Sequence, residues 1–488
     1  MGEATVEVNL ASIIEQHPAD AVALIEDDTR VTYGELRSRV ALWREVLAER
    51  GIGVGSRVVL AAGNEISFVE TMLAVHGLGA IAAPINPYSP PPEARRKVAS
   101  MVPDLVLVGE CAERLKGPDT FDCAVLNTAS VTGDGPTGPT IPIEALEPGA
   151  VAFHLSTSGV SGVAKVAMLS HGGMGWVQQS LCGEGPQQVR ADDLTLAVLP
   201  VAHVLGLNVA VLTTLRAGGT VVLQRRFDSA RSLELIAEHG ITMVIGAPPM
   251  WHQWAVGDGA SDAMSTVRFA RSGAAALRPA TADRLKSRFG VTITQGYGLT
   301  ETSSVVTTGR GADAPPTSAG RPLPGIALVV VDDDGAPVDV GDVGEVVVRT
   351  PGVFAGYLDD PGSTEMVLTD DGWLWTGDLG VVDDEGYLHL IDRVKDIVIV
   401  SGFNVYPAEV EDVIMEFPGV RAAVVVGAAH GLTGETVVAH VAGDVDVQKL
   451  DAWVRTQLST YKCPTKYHLV DEVPETTAGK RLRRELRA

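Results

Sequence analysis

Residues 156–165, STSGVSGVAK, combine the groups that a protein needs to hold phosphate. The stretch contains four hydroxyl side chains, two glycines and one lysine. Glycines let backbone N–H groups approach phosphate oxygens closely, and a lysine adds a positive charge. The Walker pattern is absent, because Ala164 precedes Lys165 and Val166 follows it. On its own the stretch is either a phosphate loop of another kind or an ordinary turn rich in glycine and serine.

A second stretch, QGYGLTET, follows a short apolar run and offers a ring, a hydroxyl and a carboxylate. Gly296 and Gly298 allow the backbone to approach a planar ligand, on which Tyr297 can stack. Thr300 can donate a hydrogen bond to phosphate. Glu301 suits Mg²⁺, which binds few protein oxygens together with substrate phosphates. A turn capped by threonine is the alternative.

Four further stretches are weaker when each is taken alone. Asp378 lies in TGDLG, where its carboxylate could accept ribose hydroxyls, although Asp/Gly turns are common. Lys480 follows a glycine in PETTAGKRLRREL, a polar tail that could equally be a solvated terminus. The remaining two are SGAAAL at 272–277 and DRVKDIVIVSGFNVYPAEVE at 392–411.

Composition restricts the class of protein. With 488 residues, 45% hydrophobic and 20% charged, the chain is expected to be globular and to hold two or more domains. Its formal net charge of −23 argues against a nucleic-acid scaffold, which needs a cationic surface. The four cysteines form no CxxC pair. No signal peptide is visible, and no apolar run approaches the ~18 residues of a membrane span. We therefore expect a cytoplasmic protein.

Short apolar runs alternate with helix-like stretches over most of the chain, which predicts βαβ units and largely parallel sheets. The expected buried strands are RVVLAAG, IAAPINP, DLVLVG, AVLN, TLAVLP, TVVLQ and TMVIGAPP, and EISFVETMLAVHGLGA has helical periodicity. Residues 128–150 are rich in Gly, Pro and Thr and are interpreted as a linker. From about residue 326, short runs between Asp/Gly turns predict an antiparallel β subdomain. Beyond the charged stretch at 391–396, the pattern predicts a compact α+β domain.

In combination and in this order, these stretches resemble the adenylate-forming enzymes, the superfamily of acyl-CoA synthetases, luciferases and peptide-synthetase adenylation domains. The resemblance extends from VTYGEL near residue 31 to the final RREL. It implies an α/β fold. A large N-terminal adenylating domain, made of βαβ subdomains plus a small antiparallel β subdomain, would span 1–392. A hinge at 393–396 and a small mobile α+β C-terminal domain at 397–488 would follow.

The resemblance also implies two half-reactions. A carboxylate attacks the α-phosphate of ATP, which gives an acyl-adenylate and pyrophosphate. The thiol of coenzyme A then attacks the acyl carbonyl and AMP leaves. A general base is not needed for the first step, because a carboxylate is already ionised at neutral pH.

Each matched residue takes a role from this resemblance. Three groups of residues are expected to bind the nucleotide. The phosphate loop contributes Thr157, Ser158, Gly159, Ser161, Gly162 and Lys165. The adenine segments contribute Gly273, Ala274, Ala275, Gly296, Tyr297 and Gly298, and the ribose side contributes Asp378 and Arg393. The catalytic set comprises Lys480 at the reacting carboxylate and α-phosphate, Thr300, Glu301 as the Mg²⁺ ligand, and His203. Lys395 is the hinge position, and Gly402 and Phe403 lie on the coenzyme A side. Three of the nine lysines in the chain, Lys165, Lys395 and Lys480, occupy lysine positions of the family.

The phosphate loop departs from the family pattern, which resembles TSG-[ST]-TG-x-PKG. Val160 lacks the hydroxyl of the fourth position, whereas Ser161 keeps one. Ala164 replaces proline and Val166 replaces glycine. A hydrogen bond to a charged group contributes about 1.5–3 kcal/mol, so we expect weaker use of ATP and not its absence.

The segment LPVAHVLGL resembles the one that precedes the acyl pocket in the family. His203 stands where amino-acid-activating members carry an aspartate, and it is typical of acyl- and aryl-CoA synthetases; a core histidine is the alternative. The residues expected to line an apolar pocket are His203, Val204, Gly206, Leu207, Met250 and Trp251. No cation for a second substrate carboxylate is evident there. A fatty or aryl monocarboxylic acid is therefore favoured, with its chain length open.

Two other functions stay open at this point. One is an acyl-AMP ligase that passes its product to a carrier protein. The other is a non-catalytic nucleotide- or acyl-binding paralogue, which the loop changes suggest and which the presence of Glu301, Asp378, Arg393 and Lys480 weighs against. The resemblance also leaves a homodimer open.

Overall fold

The computed structural model describes residues 8–117, 120–131, 133, 135, 140–157, 165–185, 187–309, 314–393, 396–400, 403–430, 434–474 and 482–486. The chain forms two compact units. The first comprises Met1–Ala327 and Arg349–Leu374, and the second comprises Leu328–Val348 and Trp375–Ala488. The predicted hinge at 393–396 lies inside the second unit, and the predicted domain boundaries stay predictions.

The α-helices and strands follow the alternation expected from the sequence. The helices are α1 (Tyr33–Ala48), α2 (Ile66–Gly77), α3 (Pro91–Met101), α4 (His171–Leu181), α5 (Thr213–Ala217), α6 (Ser229–His239), α7 (Pro248–Val256), α8 (Pro279–Phe289), α9 (Pro361–Glu365), α10 (Pro407–Glu416) and α11 (Val447–Gln457). The strands up to residue 322 are β1 (Val22–Glu26), β2 (Thr29–Thr32), β3 (Arg57–Ala61), β4 (Ile81–Pro84), β5 (Leu105–Val108), β6 (Ala124–Asn127), β7 (Val151–Ser156), β8 (Val166–Ser170), β9 (Leu194–Ala197), β10 (Thr220–Leu223), β11 (Met243–Gly246), β12 (Phe269–Ser272), β13 (Ile293–Tyr297), β14 (Thr307–Thr308) and β15 (Arg321–Pro322). The remaining strands are β16 (Ala327–Val331), β17 (Gly344–Arg349), β18 (Leu374–Val382), β19 (Leu388–Arg393), β20 (Val398–Val400), β21 (Phe403–Val405), β22 (Val420–His430), β23 (Gly434–Gly443) and β24 (Lys466–Val470).

Two large sheets form the frame of the first unit. One has six strands in the order β6-β5-β3-β4-β7-β8, and its pairs are parallel except for β7 with β8. The other has nine strands in the order β15-β14-β13-β12-β11-β9-β10-β1-β2, parallel from β13 to β1 and antiparallel at both edges. Strands that are apolar along their whole length are buried on both faces, as parallel sheets require. The predicted parallel architecture is confirmed.

Local signals at the ends of the helices agree with this frame. Thr32 begins α1 with a capping box, in which its side chain accepts from the N–H of Glu35 and the Glu35 carboxylate accepts from the N–H of Thr32. The buried sides of the helices of the nine-stranded sheet join a core cluster that includes Trp251, Trp254 and Leu285, all fully buried. No helix among the described residues combines the length and the apolarity that crossing a membrane needs.

The second unit contains two smaller sheets. β16, β17, β18 and β19 form a four-stranded sheet, in which β18 and β19 are antiparallel. A five-stranded sheet follows, with the order β21-β20-β23-β22 and with β24 parallel to β23. α10 and α11 cover it, and their Val410, Ile414 and Leu450 side chains are fully buried. The expected small β subdomain corresponds to the four-stranded sheet, and the expected α+β domain corresponds to the five-stranded sheet with α10 and α11.

Candidate active site

The predicted phosphate loop connects the two antiparallel strands β7 and β8. Ser156 pairs with Val166 across the hairpin, and the N–H of Thr157 donates to the carbonyl oxygen of Lys165 at 2.8 Å. The loop therefore starts and ends at one edge of the six-stranded sheet. Val166, which replaces the glycine of the family pattern, is buried within the core cluster of that sheet. Its change from glycine is explained by packing.

Thr300 and Glu301 lie at the tip of a second hairpin, formed by β13 and β14. Tyr297 pairs with Thr307 at its base. A Cβ at Gly298 would lie 1.7 Å from the carbonyl oxygen of Ser304, so only glycine can occupy that position. Two non-glycine residues, Ser303 and Ser304, turn the chain with φ values of 55° and 110°. The tip is therefore a tightly specified turn that costs backbone strain.

A short extended segment around Tyr357 joins the tip of this hairpin to the base of the phosphate loop. Tyr357 forms an antiparallel bridge with Ala167 of β8, and the N–H of Phe354 donates to the carbonyl oxygen of Glu301 at 2.8 Å. The Tyr357 hydroxyl donates to Oε1 of Glu301 at 2.7 Å. Nζ of Lys165 lies 4.7 Å from the centroid of the Tyr357 ring. One side chain thus contacts both a predicted phosphate-loop cation and the predicted Mg²⁺ ligand.

The two segments expected to hold adenine are brought together by neighbouring parallel strands. Ser272 at the end of β12 pairs with Gln295 of β13, so the residues that follow each strand emerge at the same edge. The side-chain oxygen of Gln295 accepts from the N–H of Leu277 at 2.8 Å. Ala274 takes a left-handed conformation with φ of 71°. Ligands of open α/β sheets bind outside the carboxyl ends of strands, and these segments lie there.

His203 precedes a π-helix, Leu205–Leu212, an irregular form that is frequent at functional sites. Burial lowers the pKa of His203, and the positive charge of Lys97 adds to this effect. The imidazole is therefore neutral at pH 7. A Cβ at Gly273 would lie 2.8 Å from Cδ2 of Leu205, which places the start of the π-helix against one adenine segment. His203, two residues before Leu205, therefore lies near the predicted adenine segment at Gly273.

A chain of buried amides supports this region and was not predicted. Asn208 donates to the carbonyl oxygen of Ser303 at 2.8 Å and accepts from Gln178 at 2.8 Å. Gln178 in turn accepts from Nε of Arg216 at 2.6 Å. The strained turn after Glu301 is therefore bonded to the π-helix. Sequence offered no signal for this, since a lone Asn in an apolar run has many interpretations.

The other predicted pocket residues have different surroundings. Gly206 packs so closely that a Cβ would lie 2.7 Å from the carbonyl oxygen of Pro200. Leu207 and Trp251 are fully buried and Met250 is 6% exposed. All three contribute to the core, and Trp251 packs on Trp254 with ring centroids 4.9 Å apart. Their contact with an acyl group, like that of Val204, stays a prediction.

The predicted ribose-binding pair lies in the second unit. Asp378 of β18 is opposite Arg393 of β19 in the antiparallel register. Asp378 is 7% exposed, and its N–H donates to Oγ1 of Thr376 at 3.1 Å. The N–H of Gly377 donates to Glu345 at 2.9 Å. Register alone therefore places the two predicted residues side by side.

An arginine of the C-terminal tail forms a cluster with three carboxylates of the same unit. Arg483 contacts Asp392 at 3.0 Å, Asp396 at 3.2 Å and Glu411 at 3.0 Å. The side chains of Asp392 and Glu411 are 2% and 0% exposed. Arg483 is thereby bonded to residues on both sides of the predicted hinge position Lys395. No motif in the sequence marks Arg483.

Several predicted residues lie outside the described part of the chain. They are Ser158, Gly159, Val160, Ser161, Gly162 and Ala164 of the loop, Lys395 of the hinge, Gly402 and Lys480. The backbones of Arg393 and Phe403 are described and their side chains are not. Their roles stay predictions.

The donor set around Glu301 fits a Mg²⁺ ion that is carried by nucleotide phosphates. Such an ion needs one or two carboxylates, with phosphates and water as its other ligands. Glu301 supplies one carboxylate, and Tyr357 hydrogen-bonds to one of its two oxygens. Within the described ranges no group of three or more His, Cys, Asp or Glu side chains could hold a metal. The magnesium role of Glu301 is consistent with this geometry and stays a prediction.

Comparison with known proteins identifies the family. Residues 10–358 match the model of the AMP-binding enzyme, and residues 409–480 match that of the AMP-binding enzyme C-terminal domain. The chain is 33% identical over 480 residues to the feruloyl-CoA synthase of an Amycolatopsis species, covering 96% of this chain and 95% of the relative. It is also 33% identical over 499 residues to 4-coumarate–CoA ligase 5 of Oryza sativa subsp. japonica, covering 96% and 92%. The crystal structure of ATP-bound MatB from Rhodopseudomonas palustris superposes with a TM-score of 0.89 at 28% identity, covering 99% and 98% of the two chains. The chain therefore belongs to the AMP-binding enzyme family.

Proposed function

We propose that the protein is an AMP-forming acyl-CoA synthetase. It would transfer the adenylyl group of ATP to a carboxylic acid with release of pyrophosphate, and then transfer the acyl group to coenzyme A with release of AMP. The observation that carries this proposal is the contact of Glu301 with Tyr357 and of Tyr357 with Lys165. That contact brings the predicted magnesium ligand to the base of the predicted phosphate loop. The similarity to CoA-forming relatives over nearly the whole chain supports it.

The first half-reaction needs positioning and charge stabilisation more than acid–base catalysis. In this proposal the loop from Thr157 to Lys165 holds the β- and γ-phosphates, and Thr300 donates to the α-phosphate. Lys480 neutralises charge on the reacting carboxylate and α-phosphate oxygens. Mg²⁺, when bound at Glu301, would withdraw charge from the phosphate oxygens.

The second half-reaction needs a different set of groups at the acyl carbonyl. We propose that the segment after Lys395 rotates, so that Lys480 leaves and Gly402 and Phe403 approach coenzyme A. His203 lies between the acyl pocket and the entering thiol in this scheme. Because burial holds the pKa of His203 below its usual range, its ring brings no positive charge to an apolar substrate.

We propose a monocarboxylic acid as substrate, with aryl acids tested before fatty acids. The names of two relatives refer to feruloyl-CoA and to 4-coumarate, both of which contain an aromatic ring. The predicted pocket residues Leu207, Met250 and Trp251 are apolar, which suits a ring or an alkyl chain. A cytoplasmic location and a homodimer are further parts of the proposal, which fractionation and light scattering would test.

The test is pyrophosphate release from ATP with a panel of acids, with and without coenzyme A. The panel contains ferulic, 4-coumaric, benzoic, hexanoic and dodecanoic acids, with malonic acid as the dicarboxylate control. We expect acid-dependent pyrophosphate release, and acyl-CoA in the mass spectrum only when coenzyme A is present. If acyl-AMP accumulates and does not react with added coenzyme A, the protein is a ligase for another acceptor. ATP binding without pyrophosphate release for any acid would indicate a non-catalytic paralogue.

A further inference from the structure

Tyr357 connects two groups that belong to separate motifs of the sequence, Glu301 and Lys165. Its hydroxyl donates to Oε1 of Glu301 at 2.7 Å, and Nζ of Lys165 lies 4.7 Å from its ring centroid. The tyrosine is 8% exposed. Its own N–H donates to Oγ1 of Thr364 at 2.9 Å, and the Phe354 ring packs edge-on at 4.9 Å between centroids. The side chain therefore has little freedom to move.

The Tyr357 hydroxyl determines which oxygen of the Glu301 carboxylate is left to bind a metal ion. An ionised carboxylate accepts hydrogen bonds at both oxygens. Since Tyr357 bonds to Oε1, rotation of the carboxylate is restricted and Oε2 is directed elsewhere. The N–H of Phe354 fixes the backbone of Glu301 at the same time. Substituting a group that orients a metal ligand in this way typically lowers metal affinity about 10–100-fold.

The ring has a separate effect on Lys165. An ammonium within about 6 Å of an aromatic centroid is attracted by the negative face of the ring. That attraction is weaker than the one between an ammonium and a phosphate. The ring therefore holds Lys165 at the base of the loop before the nucleotide binds, in position to contact an incoming phosphate oxygen.

We propose that Tyr357 is a positioning residue of the nucleotide site, which acts on the metal through Glu301 and on the phosphates through Lys165. The inference rests on the nucleotide-binding part of the proposed function. It adds a residue that no motif in the sequence identified. The two actions use different parts of one side chain, so two substitutions separate them. Tyr357→Phe removes only the hydroxyl, whereas Tyr357→Leu removes the hydroxyl and the ring.

Mn²⁺ binding in the presence of α,β-methylene-ATP, followed by electron paramagnetic resonance, tests the action of the hydroxyl. This nucleotide does not transfer its adenylyl group, so the measurement is independent of any acid substrate. We expect Tyr357→Phe to weaken Mn²⁺ binding about 10–100-fold. In an E301Q background the same substitution should cause no further loss, because Tyr357 acts through the carboxylate.

Affinity for the nucleotide without metal tests the action of the ring. We expect Tyr357→Leu to bind α,β-methylene-ATP more weakly than Tyr357→Phe does. In a Lys165→Met background the leucine and phenylalanine variants should bind it equally, because the cation that the ring attracts is gone.

Tyr33→Phe is the matched control. The Tyr33 hydroxyl is also buried and donates to the carbonyl oxygens of Leu215 and Gly219, at 3.2 and 2.8 Å. We expect this control to lower the melting temperature and to leave Mn²⁺ binding unchanged. Unchanged Mn²⁺ binding in Tyr357→Phe would overturn the inference. So would an additive loss in the double variant with E301Q. If Mn²⁺ binding follows the expected pattern while no acid gives pyrophosphate release, the proposed function fails and the inference stands.

Discussion

Replacing Arg483 by methionine keeps most of the length of the side chain and removes its charge. We expect this change to destabilise the sheet formed by β20–β24 by about 3–5 kcal/mol, the usual effect of removing one partner of a buried ion cluster. The reason is that three carboxylates share this arginine, and those of Asp392 and Glu411 are 2% and 0% exposed.

The structure places the loss toward the lower end of that range. Asp392 also accepts from the N–H of Ala408 at 2.8 Å, and Glu411 accepts from the N–H of Val425 at 2.8 Å. These bonds remain in the variant and stabilise part of the charge. The side chain of Asp396 is 14% exposed, so water can solvate it.

Hydrogen exchange of the amides in β22 and β23 measures this loss without assuming two-state unfolding of the whole chain.

Arg455→Met is the control for this experiment. Arg455 pairs with Asp451 on α11 of the same unit at 2.7 Å, with the two side chains 47% and 31% exposed. Exposed pairs of this kind contribute little, so its exchange should match that of the wild type. If Arg483→Met loses no more protection than Arg455→Met, the reasoning about buried charge is wrong.

Three further predictions concern the reaction. Lys480→Ala should slow adenylation by about 10²–10³ and largely spare thioester formation from supplied acyl-adenylate; equal loss in both rates would reject this division. Lys395→Pro should slow thioester formation more than adenylation, because proline fixes φ and removes a backbone donor at the hinge; a wild-type rate from preformed adenylate would refute it. Val160→Thr with Ala164→Pro should lower the KM for ATP in pyrophosphate release, and an unchanged or higher KM would mean that the loop is adapted to its surroundings. Val166→Gly is left out of that variant, because Val166 is buried in the core cluster of the six-stranded sheet and its loss would cost about 1.5–3 kcal/mol.

The periodicity of apolar residues in the sequence was sufficient to predict most of the strands and helices of the fold. Apolar runs such as RVVLAAG and TMVIGAPP form β3 and β11. A strand that is buried on both faces needs an apolar side chain at every position, and this pattern is visible in the sequence. The parallel arrangement then placed the residues after β12 and β13 at one edge of the nine-stranded sheet. Those parts of the candidate site depend on local pattern and on the rule that parallel strands end together.

Tyr357 and Arg483 could not be predicted in the same way. Tyr357 reaches Glu301 only because its segment pairs with Ala167 of β8, and no spacing in the sequence encodes that pairing. Arg483 looked like one of several charges in a basic tail. Its role depends on three carboxylates from separate positions, among them Glu411 of α10. Contacts between distant segments are decided by tertiary packing, which a motif does not describe.

The pairing of β1 has a consequence for the order in which the protein folds during synthesis. Leu24 of β1 pairs with Val221 of β10, so its partner leaves the ribosome about 200 residues later, which takes roughly 10–40 s at typical synthesis rates. The six-stranded sheet is made entirely of residues between Arg57 and Ser170 and can be completed in that interval. The β1–β2 hairpin is only marginally stable alone. The hairpin therefore stays unpaired, and accessible to chaperones and proteases, until β10 has been synthesised and can pair with β1.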